Sequence, residues 1–239
     1  MNNLANTLGK EHKYVEAEKL RRETLDIQRR VLGPEYPDTL RSMLNLADTL
    51  YQEGRYAEAE KLERETLDIQ RRVEGPEHPE TLVSMYNLSC LLNKTGRYSE
   101  AETLGRTTLE IRRRVLGPKH PTTLKAMVGL ATSLLQEDHY LEAEKLLREA
   151  LEVQRRILGL DHRDIGASTY ELAILEEREG RSDEALGLLR EAIDHGLSLD
   201  DWLGIETDPD LKSLHVDPRF TALVAETKKR AAAAVQKSR

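Results

Sequence analysis

Three histidines recur at the same place in a repeated loop of the sequence. His78, His120 and His162 follow one another at intervals of 42 residues, and Tyr36 holds the corresponding place one interval earlier. Histidine is a frequent metal ligand and proton carrier. Side chains on successive units of an array, however, cannot converge on one ion at the ~2 Å of a metal–nitrogen bond. The recurrence therefore predicts a shared structural role, such as a hydrogen bond to the backbone of the turn.

Catalytic signatures are missing from the sequence. Cys90 is the single cysteine, and no neighbouring residues mark it as an activated nucleophile, so we interpret it as a small buried or groove-lining residue. One thiol forms no internal disulfide, which favours a reducing, cytoplasmic location. The chain has no HExxH, CxxC or GxSxG motif and no phosphate-binding glycine loop. We predict a chain that is not an enzyme, with no catalytic residue, no metal and no cofactor.

The loops that carry these histidines belong to an internal repeat. The decapeptide RETLDIQRRV at 22–31 returns letter for letter at 64–73, and looser copies follow at 106–115 and 148–157. A fixed period of 42 residues is typical of arrays in which each unit packs on its neighbours. The repeats must therefore position any functional side chain.

Each repeat predicts two helices. Apolar residues spaced by three or four fall into two stripes, which we call helix A and helix B of the repeat. Helix A of the second repeat carries Leu40, Met43, Leu44, Ala47, Leu50 and Tyr51, and helix B carries Tyr56, Ala59, Leu62, Thr66, Ile69 and Val73. Gly54, Gly96 and Gly180 stand where helix A ends and predict a left-handed residue, with Asp138 as a poorer substitute. Loops such as GPEHPET then separate helix B from the next helix A because proline cannot continue a helix.

The repeat resembles the tetratricopeptide repeat, or TPR. The resemblance is carried by Leu46, Ala47, Leu50, Gly54, Tyr56, Ala59, Leu62 and Thr66, and the period with GPEHPET between units is similar to that of kinesin light chains and many bacterial regulatory proteins. The resemblance implies an all-α fold, a right-handed α-solenoid of antiparallel helix pairs (a TPR superhelix) with a C-terminal helical cap. TPR arrays bind other proteins, but a fold of this kind does not specify the partner.

We predict two regions, an array at 1–196 and capping helices with a basic tail at 197–239. The first repeat is truncated, because Asn3, Leu4, Ala5 and Leu8 align with Asn45, Leu46, Ala47 and Leu50. In the second region we expect Trp202 to contribute to the cap, and Phe220, Leu223 and Val224 to face inward on a final helix. The stretch DPDLKSLHVDPRF resembles the closing piece of TPR arrays in larger bacterial proteins, some of which carry a Ser/Thr kinase domain. A parent protein with a separate catalytic domain is therefore one possibility.

A peptide-binding groove lined by helix A is the predicted site. By the resemblance, its residues are Asn3, Asn6, Lys10, Arg41, Asn45, Asp48, Tyr51, Tyr86, Asn87, Asn93, Lys94, Lys125, Thr132 and Gln136. Gln52, Cys90, Tyr170, Glu171 and Arg178 lie on the same face. Asparagine both donates and accepts, so it can hold a peptide backbone. Bases outnumber acids on this face although the chain has a formal net charge of −7, which favours a partner segment rich in acidic residues.

Two further readings remain open. The first is a structural or self-assembly module whose N-terminal edge, left open by the truncated repeat, stacks on another copy or on another domain. The second is a nucleic-acid binder, which the acidic balance disfavours. No run of residues is apolar enough to span a membrane. Together with the acidic balance, this leads us to expect neither nucleic acid nor membrane as a partner.

Overall fold

The computed structural model describes residues 2–10, 13–159, 162–195 and 205–237. Within these ranges every regular element is a helix. The α-helices are α1 (Asn2–Lys10), α2 (Tyr14–Val31), α3 (Pro37–Gln52), α4 (Tyr56–Val73), α5 (Pro79–Lys94), α6 (Tyr98–Val115), α7 (Pro121–Gln136), α8 (Tyr140–Ile157), α9 (Arg163–Arg178), α10 (Ser182–Asp194) and α11 (Pro218–Lys237), and a 3-10 helix, η1, covers Pro209–Val216. The odd-numbered helices from α1 to α9 are the A helices, and α2 to α10 are the B helices. The predicted all-α fold of consecutive helix pairs is confirmed.

The chain divides into two compact units, Met1–Val115 and Leu116–Arg239. In unit 1, each helix from α1 to α6 packs on the next one along the chain. Its core is built from apolar side chains of α3 and α5, such as Met43, Leu50 and Met85, which are almost fully buried. Ala59 and Ala101, at the same position of successive B helices, are 1% and 0% exposed, which explains why the repeat keeps a small side chain there.

Unit 2 contains the last two helix pairs and the C-terminal segment. Helices α7 to α10 pack in sequence, η1 packs on α9 and α11, and α11 packs on α10. Phe220 and Leu223 are buried and Val224 is half-buried, so the expected inner face of the last helix is confirmed. Trp202 and the predicted boundary after residue 196 lie outside the described residues, so both remain predictions.

The turns are built as the sequence indicates. The Nδ1 atoms of His78, His120 and His162 accept hydrogen bonds from the backbone N–H two residues later, at 3.4, 3.3 and 3.2 Å. Each histidine is thus the N-cap of an A helix, which confirms the structural role. At the other end of the A helices, Gly96 has φ 75° and Asp138 has φ 59°. Gly54 and Gly180 share this left-handed conformation, with φ values of 76° and 78°.

Buried polar pairs join two of the B helices, α4 and α8, to the A helices that follow them. Ser84 Oγ donates to Gln70 Oε1 at 2.5 Å in unit 1, and Ser168 Oγ donates to Gln154 Oε1 at 2.8 Å in unit 2. These four side chains are at most 1% exposed, so the hydrogen bonds compensate for their loss of water. No helix in the described ranges is both long and apolar enough to cross a membrane.

Candidate functional site

A pocket in unit 1 lies among helices α3, α4 and α5. It is a cavity of about 230 Å³, lined by Ala47, Asp48, Tyr51, Gln52, Ala59, Glu63, Tyr86, Asn87, Cys90 and Leu91. We call it the unit 1 pocket. Six of its residues were predicted from the sequence to lie on the helix A face: Asp48, Tyr51, Gln52, Tyr86, Asn87 and Cys90. The structure therefore brings the central part of the predicted set together.

Glu63 is the buried carboxyl group of this pocket. It extends from α4, is 4% exposed, and its Oε1 accepts one hydrogen bond of 3.4 Å from Asn87 Nδ2. Its Oε2 is buried and has no hydrogen-bond partner among the described residues. Burial raises the pKa of the Glu63 carboxyl to about 8; the Asn87 hydrogen bond opposes the shift and the nearby charge of Asp48 adds to it. The pocket thus contains a carboxyl group that gains a proton close to neutral pH.

Two arginines from the B helices support the walls of the pocket. Arg21 of α2 donates to the backbone oxygen of Asn45 and to the hydroxyl of Thr49, and lies 3.9 Å from Asp48. Arg112 of α6 donates to the carbonyl of Leu82 at 2.7 Å, and its guanidinium stands 5.1 Å from the centroid of the Tyr86 ring. Burial lowers the pKa of both arginines. Both guanidinium groups are engaged with α3 and α5.

The other predicted groove residues of unit 1 lie around this pocket without lining it. Asn45 is half-buried, and Arg41 is exposed and pairs with Asp38 in its own helix at 2.5 Å. Asn93 is half-buried and Lys94 is exposed. The side chains of Asn3, Asn6 and Lys10 in α1 lie outside the described residues.

In unit 2, the helix A face contacts the chain's own C-terminal segment. Arg178 of α9 donates to Asp210 Oδ1 at 2.6 Å, and Gln136 of α7 donates to Asp210 Oδ2 at 3.0 Å. Arg178 also donates to Gln136 Oε1 at 2.9 Å and to the carbonyl of Leu135 at 2.8 Å. The hydroxyl of Tyr170 donates to Asp208. Two aspartates at the start of η1 are therefore bound by residues that the sequence assigns to the groove.

The remaining predicted residues of unit 2 have local partners. Lys125 pairs with Asp164 at 3.3 Å, and the hydroxyl of Thr132 donates to the carbonyl of Val128 at 3.2 Å. Glu171 is half-buried, and burial raises the pKa of its carboxyl group to about 7. The hydrogen bond from the Thr132 hydroxyl opposes this shift, and the charge of Asp210 adds to it. This face thus combines a carboxyl whose pKa is raised with two half-buried aspartates.

The side chains that could add metal or thiol chemistry are the candidate metal ligands and the single cysteine, Cys90. In the part of the chain that the structure describes, no three His, Cys, Asp or Glu side chains are placed to hold a metal ion. Cys90 is half-buried and lines the unit 1 pocket.

Sequence reasoning missed Arg21, Glu63 and Arg112 because they lie on B helices, which were assigned a packing role only. A signal was present at the period of the repeat: the position of Glu63 holds Arg21 one repeat earlier and Gly105 one repeat later. A buried position that changes from arginine to glutamate to glycine is not set by packing alone.

Comparisons with known proteins agree with this architecture. The tetratricopeptide repeat family model matches residues 1–72, 54–114, 91–150 and 123–195. The crystal structure of kinesin light chain-like TPR repeats from Podosopora anserina is 28% identical with a TM-score of 0.69, and the match covers 80% of this chain and 90% of that chain. No curated protein matches the sequence significantly.

Two Rap proteins share the fold at lower identity. Apo RapI is 15% identical with a TM-score of 0.72, covering 98% of this chain and 82% of that chain. A Rap protein complexed with Competence and Sporulation Factor is also 15% identical, with a TM-score of 0.65, covering 93% of this chain and 55% of that chain. At this identity the likeness extends to the fold alone.

Proposed function

Because the chain belongs to the tetratricopeptide repeat family, whose repeats form non-catalytic protein-interaction modules, we propose that it binds an extended, acidic segment of a partner protein. The segment lies along the faces formed by the A helices. In this proposal the chain is the regulatory or scaffolding part of a larger assembly.

The contact between η1 and the A helices of unit 2 carries the acidic part of the proposal. Asp210 is held by Arg178 and Gln136, and Asp208 by Tyr170, so the face already accommodates the two carboxylates at the start of η1. The side chains of Arg178 and Asp210 are 20% and 23% exposed, and charge-assisted hydrogen bonds with little solvent are the stronger kind. An acidic partner segment would make the same contacts and would compete with residues 208–210.

The excess of basic over acidic residues among the predicted groove residues is weaker support for an acidic partner. Arg41 and Lys125 already pair with Asp38 and Asp164, so their charge is partly neutralised. Arg178 is the base of unit 2 that binds a carboxylate of η1, so the acidic preference is tested at this residue.

In unit 1 we propose that asparagines hold the backbone of the partner. Asn45 and Asn87 are half-buried at the same position of successive A helices, and an amide can donate and accept at once. Asn87 lines the unit 1 pocket beside Tyr86. A contact to backbone atoms tolerates many side-chain sequences and suits an interaction module.

A selection followed by affinity measurements tests the proposal. A random-peptide library is selected against the whole chain, and the enriched peptides are titrated by fluorescence anisotropy. We expect acidic peptides whose affinity falls at least tenfold with Arg178→Gln, and again with Asn45→Ala and Asn87→Ala together. The matched control is Arg156→Gln, because Arg156 is 61% exposed and pairs with Glu152 of its own helix. Enrichment of peptides without acidic residues, or equal affinity for all variants, would refute the proposal.

Self-association is a second candidate, favoured by one observation. Leu4 is 57% exposed, whereas the residues at its position in the next four repeats, Leu46, Leu88, Leu130 and Leu172, are 1 to 3% exposed. We propose that a second copy covers this edge. The mass in solution, measured by sedimentation over a range of concentrations, should rise with concentration and do so less for Leu4→Ser. A monomer at all concentrations would exclude this function.

The cellular location of the chain and the larger protein that contains it are further proposals. The single cysteine fits a cytoplasmic location, and the closing DPDLKSLHVDPRF stretch fits a larger bacterial parent with a Ser/Thr kinase domain. Detection of the chain in fractionated cells and the mass of the native polypeptide would test both.

A further inference from the structure

The unit 1 pocket holds two carboxyl groups with too little positive charge to balance them. Glu63 of α4 and Asp48 of α3 both line it, and the charge of Asp48 makes ionisation of Glu63 harder. Glu63 is 4% exposed and its Oε2 has no hydrogen-bond partner among the described residues. A buried acceptor without a donor is costly, so a positively charged donor in the pocket would complete the site.

The arginines nearby do not fill this role. Arg21 bonds the backbone of Asn45 and the hydroxyl of Thr49 and lies 3.9 Å from Asp48. Arg112 bonds the carbonyl of Leu82 and stands over Tyr86. The titratable and charged groups that surround Glu63 are Asp48 and Tyr51 on α3, Tyr86 and Cys90 on α5, and, at the edge, Arg21 and Arg112.

The fold does not require an acid at this position. Leu147 and Leu189 occupy the equivalent place in later repeats and are both 0% exposed. A leucine therefore packs there without the desolvation cost of a carboxyl group. Glu63 is a departure from the packing solution of the array, and it coincides with an open cavity.

The walls of the cavity suit a cation. The rings of Tyr51 and Tyr86 line it together with the two carboxyl groups, and aromatic faces attract ammonium and guanidinium groups. The volume of about 230 Å³ has room for a side chain rather than a folded domain.

We propose that the unit 1 pocket receives the basic side chain of an arginine or lysine from the partner segment, held by Glu63 and Asp48 between the two tyrosine rings. The site rests on the proposed function, since it assumes that a partner segment lies on this face. It adds a basic residue to a segment that is otherwise acidic.

Cys90 provides a direct test because it lines the same pocket and is the single thiol of the chain. The rate at which N-ethylmaleimide modifies Cys90 is measured with increasing N-acetyl-arginine amide, at constant ionic strength and pH 9. The neutral control is N-acetyl-citrulline amide, which has nearly the same shape, and N-acetyl-lysine amide with a free side chain distinguishes the two basic residues. We expect saturable protection of several-fold by arginine, lysine or both, and none by citrulline.

The variant Glu63→Gln should weaken this protection at least tenfold. The control is Glu171→Gln, which replaces another glutamate whose pKa is raised. Because Glu171 lies in unit 2, this variant should leave the protection of Cys90 unchanged. Should Glu63→Gln fail to fold, wild type alone gives a second readout. Protonation of Glu63, with a pKa of about 8, competes with the cation, so the apparent dissociation constant of the protecting amide should fall about tenfold from pH 7 to pH 9.

Equal protection by citrulline and arginine, or protection that survives Glu63→Gln, would overturn the site. Either result would leave the peptide selection untouched, because that experiment depends on Arg178 and the asparagines. If the peptide selection fails while arginine amide still protects Cys90, the pocket stands and the extended partner does not.

Discussion

Replacing Glu63 by glutamine should stabilise the chain, increasingly so as the pH rises. The pKa of Glu63 is raised from 4.5 to about 8 by burial and by Asp48. Between these two values the folded chain keeps a proton that the unfolded chain releases, so the free energy of unfolding falls as the pH rises through this window. Because Glu63 is 4% exposed, solvent screens little of this effect. The penalty amounts to about 3 kcal/mol at pH 7 and approaches about 5 kcal/mol at pH 9.

Urea unfolding, followed by circular dichroism between pH 5 and pH 9, measures this pH-dependent loss in the free energy of unfolding directly. The difference between Glu63→Gln and wild type should be about 1 kcal/mol at pH 5 and grow to about 3 kcal/mol at pH 7. Glu171→Gln is the matched comparison, since a pKa of about 7 predicts that its own curve levels off at a lower pH. A difference for Glu63→Gln that stays flat across the range would mean that Glu63 is not a buried carboxyl without a donor, and the reasoning about the pocket would fail with it.

Three further substitutions test the account of the fold. Ala101→Leu places a large side chain at a position that is 0% exposed; it should cost about 1–3 kcal/mol and lower the melting temperature, and an unchanged melting temperature would contradict the helix register. Gly96→Ala puts a side chain at φ 75° and should cost about 1–2 kcal/mol in urea unfolding, whereas a neutral effect would mean that the turn relaxes. Asp210→Ala removes the partner of Arg178 and Gln136; faster hydrogen exchange in η1 with little change in α3 is expected, and equal exchange would show that the contact does not hold η1.

The repeats were predictable because their determinants are local. Helix B of the second repeat was expected from the spacing of Tyr56 to Val73, and the helix covers the same residues. The same holds for the turn, where a glycine such as Gly96 and a histidine such as His78 act within a few residues of their own positions. Repetition of the pattern at a constant interval turned weak local preferences into a firm prediction.

The site was predicted only in part because its remaining contacts are not local. The resemblance to the tetratricopeptide repeat pointed to Asp48, Tyr51, Tyr86 and Asn87, and these residues do line the unit 1 pocket. Glu63 could have been suspected from its departure from the repeat, but its burial depends on how α4 packs between α3 and α5.

The pairing of Arg178 with Asp210 spans 32 residues. It involves a segment outside the repeat, where no periodicity gives a register. Such a contact requires the structure, because the sequence shows only that acids and bases are both present.

Hydrogen–deuterium exchange of the whole chain, with and without a peptide selected from the library, tests the central claim most directly. Bound peptide should protect the amides of the A helices more than those of the B helices within each unit, α3 and α5 in unit 1 and α7 and α9 in unit 2. The protection in α9 should be lost with Arg178→Gln. Protection confined to α1, or spread over the B helices with the A helices unchanged, would contradict binding along this face and favour an assembly surface instead.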